Sequence, residues 1–184
     1  ISLRSFIECI KTDVKKKYEE RLDEEGNPTG SITSMDNAAF QCYNRAALSF
    51  EKKDFETAMR CYGLILEAIP LDKGNNLAKN NLTATQIILY NSYAAINAKN
   101  ILDDEYAKCK KTNTGNCDEF LTKRNELLDQ SKKSLTKLID QSYPDPVVYV
   151  QMENLQLSEG ETAGALGTIE KGLKVLENNK DLMN

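Results

Sequence analysis

The sequence contains no histidine. That absence removes the commonest general base, the usual side-chain metal ligand and every histidine-dependent triad, so catalysis is not expected. There is no glycine-rich phosphate loop and no nucleophile elbow. No two cysteines stand at CxxC spacing, which leaves zinc without its usual ligand sets, and neither a metal nor a cofactor is expected. No run of 18 apolar residues occurs, so the sequence offers no transmembrane segment. Charge of one sign is lacking too: 24 Lys and Arg are interspersed among 28 Asp and Glu, a net charge of −4, and such a chain presents no field to nucleic acid or an anionic membrane. The acidic clusters Asp103-Asp104-Glu105 and Glu19-Glu20 lack the glycine turn of a calcium loop and read as solvated helix faces.

What the sequence does contain is a soluble composition, 40% hydrophobic and 28% charged over 184 residues, enough for one domain with a proper core. Residue 1 is Ile, which reads as a processed or artificially made end, from which any signal peptide would already be gone. The organising stretch is residues 39–70. Phe40, Tyr43, Ala46, Ala47 and Phe50 recur at three- and four-residue steps on one side of a helix. Lys53-Asp54 breaks the pattern, and Asp54 is a good N-cap for a second helix whose stripe is Phe55, Ala58, Met59, Tyr62, Ile65, Leu66 and Ile69. Pro70 ends it, because the residue before a proline is pushed out of helical torsions. Small Ala46 and Ala58 mark the place where the two antiparallel helices cross closely.

These residues resemble a tetratricopeptide (TPR) repeat, a helical hairpin with a period of about 34 residues. Ala46 stands at the family's glycine, Ala58 at its alanine, Tyr62 at its aromatic and Pro70 at its closing proline. Cys42 replaces the family's tryptophan, and Ile65 a usual alanine. The resemblance implies an all-α superhelix, a right-handed solenoid of helical hairpins whose first helices line a concave face.

The rest of the chain is read against that unit as a single domain over 1–184. Residues 1–22 form an amphipathic helix, with Leu3, Phe6, Ile7, Ile10, Val14 and Tyr18 on one side, read as a cap over the first repeat. Residues 23–35, with Gly26, Pro28 and Gly30, are a loop, after which Ser34 or Asp36 caps the first repeat, 36–72. A polar connector follows, in which residues 77–82 can form a short helical turn; the sequon at Asn81 is put down to chance. Residues 84–143 are an extended second repeat. Leu89, Tyr90, Tyr93, Ala94, Ile96 and Ala98 begin it, with Ser92 at a small position. Lys99-Asn100 occupies the usual turn, but the segment beyond has no breaker, so the helix is predicted to run on to a turn at 112–116. A second long helix over 118–141 then buries Phe120, Leu121, Leu127, Leu128, Leu135, Leu138 and Ile139, with Ser131 at the small position. Repeat 3, 145–178, opens on Asp145-Pro146, a cap followed by proline in the first turn, and Val147, Val148, Tyr149, Met152, Leu155 and Leu157 make its first helix. Glu159-Gly160-Glu161 turns the chain, and Ala165, Ile169, Gly172, Leu173 and Leu176 form the last stripe. This final repeat resembles those of bacterial cell-envelope TPR proteins, which implies an extracytoplasmic location, in the periplasm or envelope.

Of the five cysteines, Cys109 and Cys117 flank the tip of the lengthened hairpin, where a turn brings them together as a disulfide or leaves two free thiols. Cys9, Cys42 and Cys61 lie on or beside apolar stripes and read as small core residues. The resemblance places Tyr43, Asn44, Ala47 and Phe50, then Gln86, Tyr90, Tyr93 and Asn97, then Gln151 and Asn154 on the concave groove, where aromatics and amides suit a peptide or protein partner. Packing of Tyr43, Phe50 and Tyr93 against the N-terminal helix or a loop is the competing reading. The Lys, Arg and Asn grip of chaperone-tail binders is missing, since Tyr43, Ala47, Tyr90, Val147 and Gln151 stand in those places. The expected function is a non-catalytic protein-interaction scaffold. The alternatives are a self-assembling structural domain, marked by apolar surface around 173–183, and a small-ligand binder or histidine-independent enzyme with carboxylates in a deep pocket.

Overall fold

A computed structural model describes residues 31–72, 74–113 and 115–179. The amphipathic segment 1–22, Cys9 and most of the loop before the first repeat lie outside these residues, as do 180–184. Among the described residues the secondary structure is helical throughout, with no strand: α1 Ser31–Glu51, α2 Phe55–Ala68, a 3-10 turn Ile69–Leu71, α3 Asn76–Lys79, α4 Ala84–Thr112, α5 Cys117–Asp140, α6 Pro146–Ser158 and α7 Thr162–Asn179. The fold is all-α. Its helices fall into two compact units, residues 1–87 and 88–184.

In the first unit α1 and α2 form an antiparallel hairpin. Phe50 meets Phe55 edge-on beside the turn, ring centroids 5.1 Å apart. Tyr43 meets Tyr62 in the same manner at 6.4 Å, farther from the turn. Between the two aromatic pairs, Ala46 and Ala58 are wholly buried, and their small side chains let the helices cross closely. The Asp54 carboxylate accepts a 3.1 Å hydrogen bond from Thr57 N–H and so caps α2. α2 gives way at Ala68 to the 3-10 turn holding Pro70. Helix α1 begins at Ser31, which overturns two expectations: residues 31–35 are helix and not loop, and Asp36 lies inside the helix and not at its cap.

Four helix ends close in one way. At the ends of α1, α3, α5 and α6 the residue at C′ is left-handed, and paired bonds satisfy the last carbonyls. Lys53 (φ 61°), Asn81 (φ 64°), Ser142 (φ 52°) and Gly160 (φ 77°) take this position. After α1, for example, Asp54 N–H reaches Ser49 C=O at 2.8 Å while Lys53 N–H reaches Phe50 C=O at 3.0 Å. The start of α4 is a reciprocal capping box. Gln86 N–H donates to Thr83 Oγ1 at 3.3 Å, and Thr83 N–H donates to Gln86 Oε1 at 3.4 Å.

In the second unit α4 runs unbroken past Lys99-Asn100 and turns only after Thr112. Its core gathers Leu89 and Ile96 from α4, Leu128, Leu135 and Leu138 from α5, and Val148, Tyr149, Met152 and Leu155 from α6. Ser92 and Ser131 are buried small residues whose hydroxyls donate to the carbonyls of Ile88 and Leu127, at 2.8 and 2.7 Å. α6 packs on both α5 and α7. Gly172 of α7 permits the second of these contacts, because a Cβ there would lie 2.7 Å from Tyr149 Cγ. Three apolar residues on the helices of the third repeat are exposed: Val147, Leu157 and Leu173. The stripe drawn from spacing was wider than the surface the neighbouring helices cover.

Candidate functional site

The residues expected on a groove separate by unit. In the first, Tyr43 and Phe50 are half-buried, each turned edge-on to an aromatic of α2, while Asn44 is exposed and Ala47 half-buried. Gln86 does not present its amide as a groove residue would, since that amide closes the capping box on Thr83.

In the second unit Tyr90 and Tyr93 lie near each other on α4, with Tyr143 and Asp145 beside Tyr93. Burial pushes the Tyr93 phenol up to about 12, and the Asp145 carboxylate and the two neighbouring tyrosines add to the shift. Tyr93 therefore stays a neutral hydrogen-bonding group, and it packs against the core cluster as well as facing outward. The Asn97 amide donates to Tyr93 C=O at 2.8 Å, so this donor is held within the helix.

Gln151 and Asn154 lie on a different kind of surface. Val147, Val150, Gln151, Asn154 and Leu157 recur at three- and four-residue steps along α6, and Val147, Val150 and Leu157 are 40%, 44% and 47% exposed. Val148, Tyr149, Met152 and Leu155, on the other side of the helix, are buried. α6 is thus apolar on both sides, and its outer face carries two amides and no charge. A helix that is apolar all round is ordinarily buried all round.

A charged cluster missed in the sequence holds the second unit together. The Arg124 guanidinium of α5 donates from Nε to Asp103 Oδ1 at 2.9 Å, from Nη1 to Glu159 Oε2 at 3.0 Å, and from Nη2 to Glu159 Oε1. Buried Lys99 reaches Asp103 Oδ2 at 2.9 Å, and Lys132 reaches Glu161 at 2.8 Å. Burial alone would raise the Asp103 carboxyl, but hydrogen bonds from Lys99 and Arg124 outweigh it and hold the carboxyl below its ordinary range. Glu159 is lowered by its hydrogen bonds from Arg124, and Arg124 is raised in return. Asp103 is therefore no simple solvated charge. An arginine 21 residues away in sequence leaves no spacing that could have marked it.

At the hairpin tip Cys109 and Cys117 are joined in a disulfide, with Cα atoms 5.6 Å apart. It clips the last turn of α4 to the first of α5. In the first unit, Asp36 and buried Asp72 form an acidic pair. Asp72 Oδ2 accepts from Leu77 N–H at 2.7 Å, but the Oδ1 atoms of both aspartates are buried without a hydrogen-bond partner. Burial, then the Asp72 carboxylate, raises the Asp36 pKa.

Among the described residues no helix is long and apolar enough to cross a membrane, and no group of three or more Cys, Asp or Glu is placed to hold a metal ion. Comparison of the chain with protein-family models, curated proteins and solved structures finds no match in any of the three.

Proposed function

We propose that this chain is a non-catalytic interaction scaffold of tetratricopeptide type, a right-handed solenoid of helical hairpins that binds a peptide or protein segment and works outside the cytoplasm, in a bacterial periplasm or envelope. The observation that carries the binding reading is the outer face of α6. Exposed Val147, Val150 and Leu157 provide apolar area, and Gln151 and Asn154 provide amides able to pair with a peptide backbone. Tyr90 and Tyr93 extend the aromatic area available in the same unit. Two findings support the repeat reading: small Ala46, Ala58, Ser131, Ala165 and Gly172 are buried, and the hairpins turn at Lys53 and Gly160. The location rests on the Cys109–Cys117 bond, which persists in oxidising compartments.

The test is retention of partners from an envelope extract by the native chain and by a Val150→Asp, Leu157→Asp double variant. Both positions are exposed, so circular dichroism should show the variant folded. A partner held by the first and lost by the second supports the reading; equal retention removes α6 as the binding face.

A self-assembling structural domain is the second reading. It is favoured by Leu166 and Leu173, which lie two turns apart on α7 and are 64% and 57% exposed. Light scattering would decide it: a dimer that dissociates in Leu173→Glu supports self-assembly, and a monomeric native chain removes it.

A further inference from the structure

We propose that Cys42 and Cys61 are a second disulfide pair, closing where Cys109 and Cys117 are oxidised and bonding α1 covalently to α2. The register of the hairpin places them together. Phe50 opposes Phe55 near the turn, and Tyr43 opposes Tyr62 seven residues farther along each helix, so the two helices advance in step. Cys42 and Cys61 each immediately precede a member of that tyrosine pair and share its level of the hairpin. Ala46 and Ala58, one turn nearer the loop, are wholly buried and bring the backbones close, as a disulfide requires of its Cα atoms. The thiols also sense each other: burial pushes the Cys42 thiol up to about 11, and the adjacent Cys61 adds to the shift.

The chemistry is thiol–disulfide exchange with a disulfide oxidant such as glutathione disulfide. Cys42, the more exposed of the two, attacks as its thiolate, forming a mixed disulfide and releasing one glutathione thiolate, which takes up the proton that Cys42 lost. The Cys61 thiolate then attacks the Cys42 sulfur and expels the second glutathione, which is protonated in turn. Two protein thiols are oxidised and one glutathione disulfide is reduced to two thiols. Because the Cys42 thiolate is scarce at neutral pH, closure should accelerate about tenfold per pH unit between 7 and 9.

The pairing rests on the extracytoplasmic reading for its oxidant in the cell, and the experiment separates the two. The purified 184-residue chain carrying Cys9→Ala is treated with glutathione disulfide, quenched in acid, blocked with N-ethylmaleimide and digested with trypsin without reduction. The expected result is that peptides 22–45 and 61–73 appear as one species, about 2 Da lighter than their sum and parted by reductant. Closure should also raise Tm by several degrees, a gain that Cys42→Ser abolishes. Recovery of the two peptides separately, blocked or glutathionylated, while Cys109–Cys117 stays closed would overturn the proposal. Closure in vitro by a chain found reduced in its own cell would leave the pair intact and overturn the location instead.

Discussion

Lys53 shows how a single residue can carry strain that its neighbours do not reveal. It holds the left-handed C′ position after α1, as Ser142 does after α5, and both side chains are exposed. A left-handed L-residue costs about 1–2 kcal/mol. Glycine escapes that strain but loses about 0.5–1 kcal/mol in extra chain entropy on folding. Lys53→Gly and Ser142→Gly should therefore each stabilise the fold by on the order of 0.5 kcal/mol, read as a rise in urea midpoint at unchanged slope. Asp36 makes the opposite point about charge. Its pKa is raised in the folded chain, so its ionised form costs stability at neutral pH, and that cost disappears as pH falls below the ordinary 3.8. Asp36→Asn should thus be more stable than the native chain at pH 7, with the advantage shrinking toward acid. An advantage independent of pH would mean that burial of the charge is not its source. The caps at Asp54 and Asp145 were readable, because a carboxylate bonding to a nearby N–H is a local event. The left-handed Lys53 and Ser142 were not, because neither residue type signals that conformation.

At the scale of elements, α6 and α7 are joined by an absence of side chain. A Cβ on Gly172 would lie 2.7 Å from Tyr149 Cγ and 2.9 Å from its Cβ, so one helix must move. Gly167, on the same helix, has open space around it. Gly172→Ala should then destabilise by about 1–3 kcal/mol through overpacking, while Gly167→Ala should stabilise by about 0.5–1 kcal/mol through helix propensity alone. The two substitutions are chemically identical, so thermal melts that shift in the same direction would count against the close crossing. Sequence pattern put Gly172 in the last stripe and drew α4 through Lys99 to the turn near residue 112. It could not tell that Val147, Leu157 and Leu173 face outward. Spacing fixes which residues share a face, whereas the presence of a neighbour decides whether that face is covered.

At the scale of the molecule, each of the two units has its own buried residues, and the second is tied across its helices by Arg124. Asp103 and Glu159 have lowered pKa values in the folded chain, so their contribution is complete above the ordinary 3.8 and 4.5 and is lost as pH falls through the lower folded values. Glu159→Gln should cost about 1.5–3 kcal/mol near neutrality, the worth of hydrogen bonds to a charged group. The difference from the native chain should narrow in acid, and melts across a pH series check it. A deficit that stayed constant down to pH 2 would show that the carboxylate's charge is not what matters.

The sequence by itself determined that the described part of this chain is all-α, where most of its helices turn, and which small residues lie at helix crossings. These follow from periodicity, caps and composition, which act over a few residues. Only the tertiary structure decided which apolar faces remain open and that Arg124 meets Asp103 and Glu159. Those outcomes depend on segments distant in sequence meeting in space, and a pairing of that kind leaves no mark in the local order of residues.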